Sequence, residues 1–146
     1  MNTLLRKTLP VANIHTGLLL LRVLAAAFML THGFPKLIQL FTGDPESFSS
    51  VLGMNPALSL LLAVFAEFLC STLIILGFFT RLASIPLIIT MAVAAFHVHS
   101  ADPFATKEKA LLFLLIFTFL LLTGGGNYSV DGIMYKKFRK RQRRYI

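Results

Sequence analysis

The segment "PALSLLLAVFAEFLCSTLIILGF", residues 56–78, decides the fold, because Glu67 is its only charged residue. A helix needs about 20 predominantly apolar residues to cross the hydrocarbon layer of a bilayer. The segment is long enough for that crossing and would place one carboxylate near mid-depth. It therefore predicts a membrane-spanning helix.

The whole chain has the composition of a membrane protein. Of its 146 residues, 56% are hydrophobic and 14% are charged, and the mean hydropathy is +0.77. A soluble domain carries about 25% charged residues. We expect four helices, at about residues 17–36, 56–78, 82–99 and 107–123. We predict an all-α integral membrane domain, a four-transmembrane-helix bundle over residues 1–135, followed by a basic tail over residues 136–146.

The charges between the predicted helices orient the bundle. Arg6 and Lys7 precede the first helix, Arg81 lies between the second and third, and "YKKFRKRQRRY" (135–145) follows the fourth. The loops at the opposite side contain four of the six acidic residues. Because positively charged loops stay in the cytoplasm, we predict a multi-pass protein of the cytoplasmic (inner) membrane with both termini cytoplasmic.

The basic tail supplies most of the net charge of +8. It directly follows a predicted membrane helix, and each Lys or Arg near an anionic leaflet gains about 1 kcal/mol of attraction. Contact with the lipid bilayer is one interpretation, and an arm that binds a partner protein is the other. The chain has no nucleic-acid motif and no interleaved aromatic platform, so we expect no nucleic-acid partner.

Ionisable residues inside the predicted helices are the first candidates for function. Arg22, His32 and Lys36 share one small-residue face of the first helix, at about 100° per residue, and Glu67 lies in the second. A charge at the membrane centre costs at least ~2.5 kcal/mol unless it is paired or hydrated. We therefore predict an Arg22–Glu67 ion pair. In the alternatives, Arg22 reaches back to the lipid headgroups and Glu67 carries protons.

The segment "AAFHVHSADPF" (94–104) brings further polar residues to the end of the third helix. His32, Lys36 and Glu108 are predicted at the same end. His97 and His99 are two residues apart, so on a continuous helix they point in nearly opposite directions. Three interpretations remain open: a polar helix-end network, a site for a polar ligand head such as a quinone carbonyl, or a metal site of unknown identity built from His32, His97 and Glu108.

Two further features exclude familiar chemistries. Cys70 is the only cysteine, and a disulfide cycle within the chain needs two thiols, so Cys70 is interpreted as a packing residue. The glycines of "TGGGNYSVDG" (123–132) follow a helix and lack the strand and lysine of a phosphate-binding loop. They predict a helix end and a turn.

Three stretches resemble the DoxX family of small bacterial four-helix membrane proteins. They are "RVLAAAFMLTHGFPKL" (22–37), "AEFLCSTLIILGFFTRLASIPLIITMAVAAFHVH" (66–99) and "EKALLFLLIFTFLLLTGGGNYSVDGI" (108–133). The residues that match the family pattern are Arg22, Gly33, Lys36, Ala66, Glu67, Gly77, Arg81, His97, Glu108 and Gly124. The resemblance spans about residues 17–133 and implies the four-helix fold.

The resemblance also implies a redox function, because the family takes its name from a subunit linked to thiosulfate:quinone oxidoreductase. We therefore expect a quinone-interacting subunit of a membrane redox complex, with quinone as cofactor and electrons from a soluble or membrane redox partner. From the position of the residues at the end of the bundle, His97 or His32 would hydrogen-bond the quinone oxygen and Glu67 would relay protons, with His97 and Glu67 as the predicted catalytic residues. The predicted ligand-binding residues are Arg22, His32, Lys36, His97 and Glu108. The alternative is a non-catalytic membrane scaffold or small-molecule binder.

Overall fold

The computed structural model describes the backbone of residues 11–142 and the side chains of residues 13–142. Within residues 11–142, five helices follow one another: α1 (Val11–Thr42), α2 (Pro56–Leu76), α3 (Thr80–Val98), α4 (Phe104–Thr123) and α5 (Val130–Gln142). A short 3-10 turn, Pro45–Ser47, lies between α1 and α2. The described residues form no strand, which confirms the all-α prediction.

Three of these helices are long and apolar enough to cross a membrane, which agrees with the prediction of a membrane protein. They are Asn13–Thr42 within α1, all of α2 and all of α3. Helix α4 has 20 residues, but three consecutive charged residues, Lys107, Glu108 and Lys109, lie near its start. Its length corresponds to about 30 Å at 1.5 Å per residue.

Local signals explain where α2 begins and ends. Asn55 accepts a hydrogen bond from the Leu58 backbone N–H at 2.7 Å, and Pro56 occupies the first helical position, where its missing N–H costs nothing. At the other end, Gly77 has φ 71° and ψ 36°. Left-handed glycine is a common helix terminator, and it allows the chain to turn directly into α3.

The bundle has two chemically different ends. The "histidine end", where α1 and α3 end and α2 and α4 begin, carries His32, His97 and His99. The "basic end", where α2 turns into α3 and α4 turns into α5, carries Arg81 and the tail helix. Between them lies a buried core formed by Ala26, Met29, Ala66, Cys70, Ile74, Ala83, Leu87, Met91, Phe117 and Leu120. Cys70 is 2% exposed within this core, in keeping with a packing role.

A glycine on α1 allows it to approach α2 closely at Glu67. A Cβ added to Gly33 would lie 2.6 Å from the Glu67 carbonyl carbon and 2.7 Å from its oxygen. Small residues at such contacts let membrane helices pack backbone to backbone. Because the obstacle is backbone rather than a flexible side chain, a methyl group at Gly33 forces the two helices apart.

Gly33→Ala is therefore expected to lower the free energy of unfolding by about 1–3 kcal/mol, the range for overpacking of a well-packed interior. The control is Gly17→Ala on the same helix, where nothing lies within 4 Å of the added Cβ and alanine should stabilise by about 0.5–1 kcal/mol. Denaturant unfolding in detergent measures both. Equal effects of the two substitutions would contradict the close contact.

Candidate functional site

A polar cavity of about 320 Å³ opens at the histidine end, between α1, α2, α3 and α4. Its polar lining residues are His32, Lys36, Glu67, His99, Thr106 and Lys109, and its apolar ones are Met29, Met91, Ala94, Ala110 and Phe113. The cavity thus combines several hydrogen-bonding groups with an apolar wall. That is the usual character of a site for a small organic ligand.

The polar cavity contains an ion pair between α1 and α2. The Lys36 Nζ atom donates to Glu67 Oε1 at 2.5 Å, and the Lys36 side chain is 28% exposed whereas that of Glu67 is 4% exposed. The second carboxylate oxygen, Glu67 Oε2, is buried and has no hydrogen-bond partner among the described residues. Buried polar atoms normally have partners, so an unpaired oxygen at the wall of this cavity is unusual.

Helix irregularity accompanies the site on both α2 and α3. The segment Phe65–Cys70, which contains Glu67, is π-helical, and so is Ala94–Val98, which contains His97. A π-helical turn is rare and frequently marks a functional site. Here one such turn presents Glu67 to the cavity and the other ends the helix directly before His99.

The predicted Arg22–Glu67 pair is wrong. Arg22 donates from Nη1 to the Ile74 carbonyl at 3.1 Å and from Nη2 to the Tyr128 carbonyl at 2.5 Å. It lies 14 residues before Lys36, which is about 21 Å along a helix at 1.5 Å per residue, so it cannot reach the same depth as Glu67. The alternative contact with lipid headgroups fails as well, because Arg22 is only 2% exposed.

Arg22 instead holds the chain segment that follows α4. The "TGGGNYSVDG" segment does end α4 and form a turn, as predicted, and it then docks on the turn between α2 and α3. Both oxygens of Asp131 accept backbone N–H groups there, from Phe79 at 2.8 Å and Thr80 at 2.9 Å, and the Asp131 N–H donates to the Gly77 carbonyl at 2.9 Å. Asp131 therefore caps the start of α3 from 51 residues away.

The two histidines of "HVH" lie in different environments. His99 lines the polar cavity, and its Nδ1 lies 2.7 Å from Asp102 Oδ2. His97 is exposed, and its Nε2 lies 3.4 Å from the backbone nitrogen of Leu52, which donates to it. They diverge because α3 ends at Val98, so His99 adopts a non-helical backbone conformation with φ −98° and ψ 23°.

The structure brings three of the predicted site residues into the cavity: His32, Lys36 and Glu67. Arg22, His97 and Glu108 do not line it, so any role for them in ligand binding stays a prediction. His99, Thr106 and Lys109 were missed. Glu108 is exposed and does not line the cavity, whereas its neighbour Lys109 does. Within residues 13–142, no group of three His, Cys, Asp or Glu side chains could hold a metal ion.

An apolar groove continues from the polar cavity. It has a volume of about 330 Å³ and runs between α1 and α4, lined by Leu21, Leu24, Ala25, Phe28, Leu112 and Ile116 together with Lys109 and Phe113. Lys109 and Phe113 also line the polar cavity. Two spaces that share a wall, one polar and one apolar, suit a ligand with a polar head and an apolar tail.

The amino-acid sequence matches the family model named DoxX over residues 17–100. The chain belongs to the DoxX family. The match covers α1 to α3 and ends before α4, so Thr106, Lys109 and Phe113 lie outside it. An uncharacterized protein of Haemophilus influenzae is 34% identical over 124 residues, which cover 80% of this chain and 90% of that relative. No solved structure matches the chain significantly.

Proposed function

We propose that this DoxX protein crosses the bacterial inner membrane four times, through α1 to α4, with both termini cytoplasmic. After Lys109 the remainder of α4, Ala110–Thr123, carries no charge. Because α4 starts at the histidine end, the three charged residues near its start lie at the membrane surface opposite the basic end. The positively charged residues Arg81 and Lys136–Arg141 gather at the basic end, which the positive-inside rule assigns to the cytoplasm.

Within that bundle, the polar cavity and the apolar groove bind a quinone, and the protein serves as the quinone-interacting subunit of a membrane redox complex. The observation that carries this proposal is the unpaired, buried Glu67 Oε2 beside Lys36, in a cavity that continues into a lipid-facing groove. The polar cavity fits the oxygen-bearing ring of a quinone, and the groove fits its isoprenoid tail.

The residues of this chain would bind and orient the head group. The Lys36 ammonium has three N–H donors and uses one on Glu67, which leaves donors for a quinone oxygen. His32, His99 and Thr106 add hydrogen-bonding groups around the cavity. A bound quinone supplies an acceptor of electrons and protons. The electrons would come from a redox partner protein, and Glu67, which has one oxygen without a hydrogen-bond partner among the described residues, would serve as the proton-carrying residue.

The experiment uses the absence of tryptophan from the sequence. Leu112→Trp places an indole beside the groove, where a bound quinone should quench its fluorescence saturably. Leu115→Trp is the matched control, since Leu115 is 68% exposed on the same helix and does not line the groove. In reconstituted vesicles the control should show only the linear quenching of quinone dissolved in the bilayer.

Histidine variants then locate the head group. In the Leu112→Trp background, His99→Ala should weaken quinone binding about 3- to 10-fold, the effect of one lost hydrogen bond of about 1 kcal/mol. His97→Ala should leave the affinity unchanged. Linear quenching in both reporter variants would reject the quinone proposal and favour a scaffold, whereas saturable quenching that is insensitive to His99 would place the head elsewhere.

A further inference from the structure

Helix α5 carries a row of apolar side chains that the bundle leaves largely uncovered. Every residue from Ile133 to Gln142 is exposed. Val130, Met134 and Phe138 follow one another at intervals of four, so they lie along one side of the helix. Met134 is 50% exposed and Phe138 is 69% exposed. A row of large, uncovered apolar side chains indicates a surface that binds a protein or a membrane.

The charges on α5 are positive except for that of Asp131 in its first turn. Lys136, Lys137, Arg139, Lys140 and Arg141 lie on it. The carboxylate of Asp131, the one acidic residue of this helix, accepts hydrogen bonds from the backbone N–H groups of Phe79 and Thr80. Lys136, Arg139 and Lys140 fall on the side away from Met134 and Phe138, at about 100° per residue. A partner surface must therefore accept apolar side chains and be anionic.

The start of α5 is fixed at the level where the spanning helices turn. Asp131 binds the backbone at the turn between α2 and α3 and donates its own N–H to Gly77. Exposed aromatic side chains lie at the same level: Phe79 is 53% exposed and Tyr128 is 53% exposed. Aromatic residues are enriched at the interface between the membrane and water. In the membrane placement proposed above, this anchoring puts the start of α5 at the bilayer surface.

We propose that α5 lies on the membrane as an interfacial helix that recognises anionic phospholipid headgroups. Met134, Phe138 and their apolar neighbours enter the boundary between headgroups and acyl chains, while the lysines and arginines bind the phosphates. Arg141 lies on the same side of the helix as the apolar row, and Lys137 lies at its edge, at about 100° per residue. The long stems of these two side chains let their charged ends stay in the headgroup layer. This inference rests on the membrane placement proposed above and not on quinone binding.

A single tryptophan tests this surface in the full-length protein. Phe138→Trp is reconstituted in nanodiscs of phosphatidylcholine alone or mixed with phosphatidylglycerol. In the anionic discs the indole emission should shift to shorter wavelength and acrylamide quenching should fall several-fold, and about 1 M salt should reverse both changes by screening. Lys136→Trp, on the opposite side of the helix, should stay water-exposed in both lipids.

Each alternative has its own signature. Emission from Phe138→Trp that is identical in the two lipids would overturn the proposal. Protection that appears in both lipids and depends on two copies of the protein per disc would assign the surface to a second copy of the chain. A blue shift in the anionic discs, together with linear quinone quenching in the Leu112→Trp assay, would support this inference and reject the quinone function.

Discussion

Lys36→Met is expected to lower the free energy of unfolding by about 3 kcal/mol, because it leaves the Glu67 carboxylate buried without its cation. Removal of one partner from a buried ion pair costs about 3–5 kcal/mol, and the partial exposure of Lys36 favours the lower end. Glu67→Leu should cost less, since the Lys36 side chain can turn toward water. The double variant should recover much of the loss from Lys36→Met.

The double-mutant cycle measures the pair directly. For Lys36 and Glu67, unfolding by a denaturing detergent should give a coupling free energy of about 1–3 kcal/mol, as for residues in contact. The cycle of Arg22→Met with Glu67→Leu is the matched control and should be additive, because Arg22 bonds the carbonyls of Ile74 and Tyr128 at the other end. Stronger coupling of Glu67 to Arg22 than to Lys36 would contradict the arrangement.

Gly77→Ala should be the most damaging single substitution at the basic end. Gly77 has a positive φ of 71°, and its added Cβ would lie 1.9 Å from Arg22 Nη1 and 2.5 Å from Ser129 Cβ. Left-handed backbone costs a non-glycine residue about 1–2 kcal/mol. Displacement of the buried Arg22 guanidinium from its carbonyl partners adds about 1–3 kcal/mol per unsatisfied group. The total loss of stability should exceed about 3 kcal/mol.

Gly53→Ala separates the two contributions. Gly53 has nearly the same φ, 76°, but nothing lies within 4 Å of its added Cβ, so this substitution reports backbone strain alone. Unfolding in detergent should show a loss of about 1–2 kcal/mol for Gly53→Ala and at least twice that for Gly77→Ala. Equal losses would mean that Arg22 is not held in place at this turn.

Much of the helical fold could be predicted from the sequence, since apolar runs of membrane length leave few alternatives. The segment 56–78 is predicted as one helix, and the structure has the single helix Pro56–Leu76 there, which ends two residues earlier at the left-handed Gly77. The partner of Glu67 could not be predicted in this way. The choice between Lys36 and Arg22 depends on how α1 is shifted along α2, and the close contact of Gly33 with the Glu67 backbone sets that shift.

The choice between His97 and His99 shows a second limit. The π-helical turn Ala94–Val98 consists of ordinary apolar residues and one histidine, so no local sequence pattern predicts that the helix ends before His99.

Asp131 shows a third limit. It caps α3 across 51 residues, and capping rules recognise only residues adjacent in sequence to the helix start. Both features require the folded arrangement of neighbouring helices.

The most direct test of the quinone site is an inventory of what co-purifies after mild detergent extraction, with quinones measured by solvent extraction and mass spectrometry. The wild-type protein and His97→Ala should retain near-stoichiometric quinone, and His99→Ala should lose most of it. Phospholipid alone in the wild-type sample, or equal quinone in all three, would contradict binding of a quinone head group in the polar cavity.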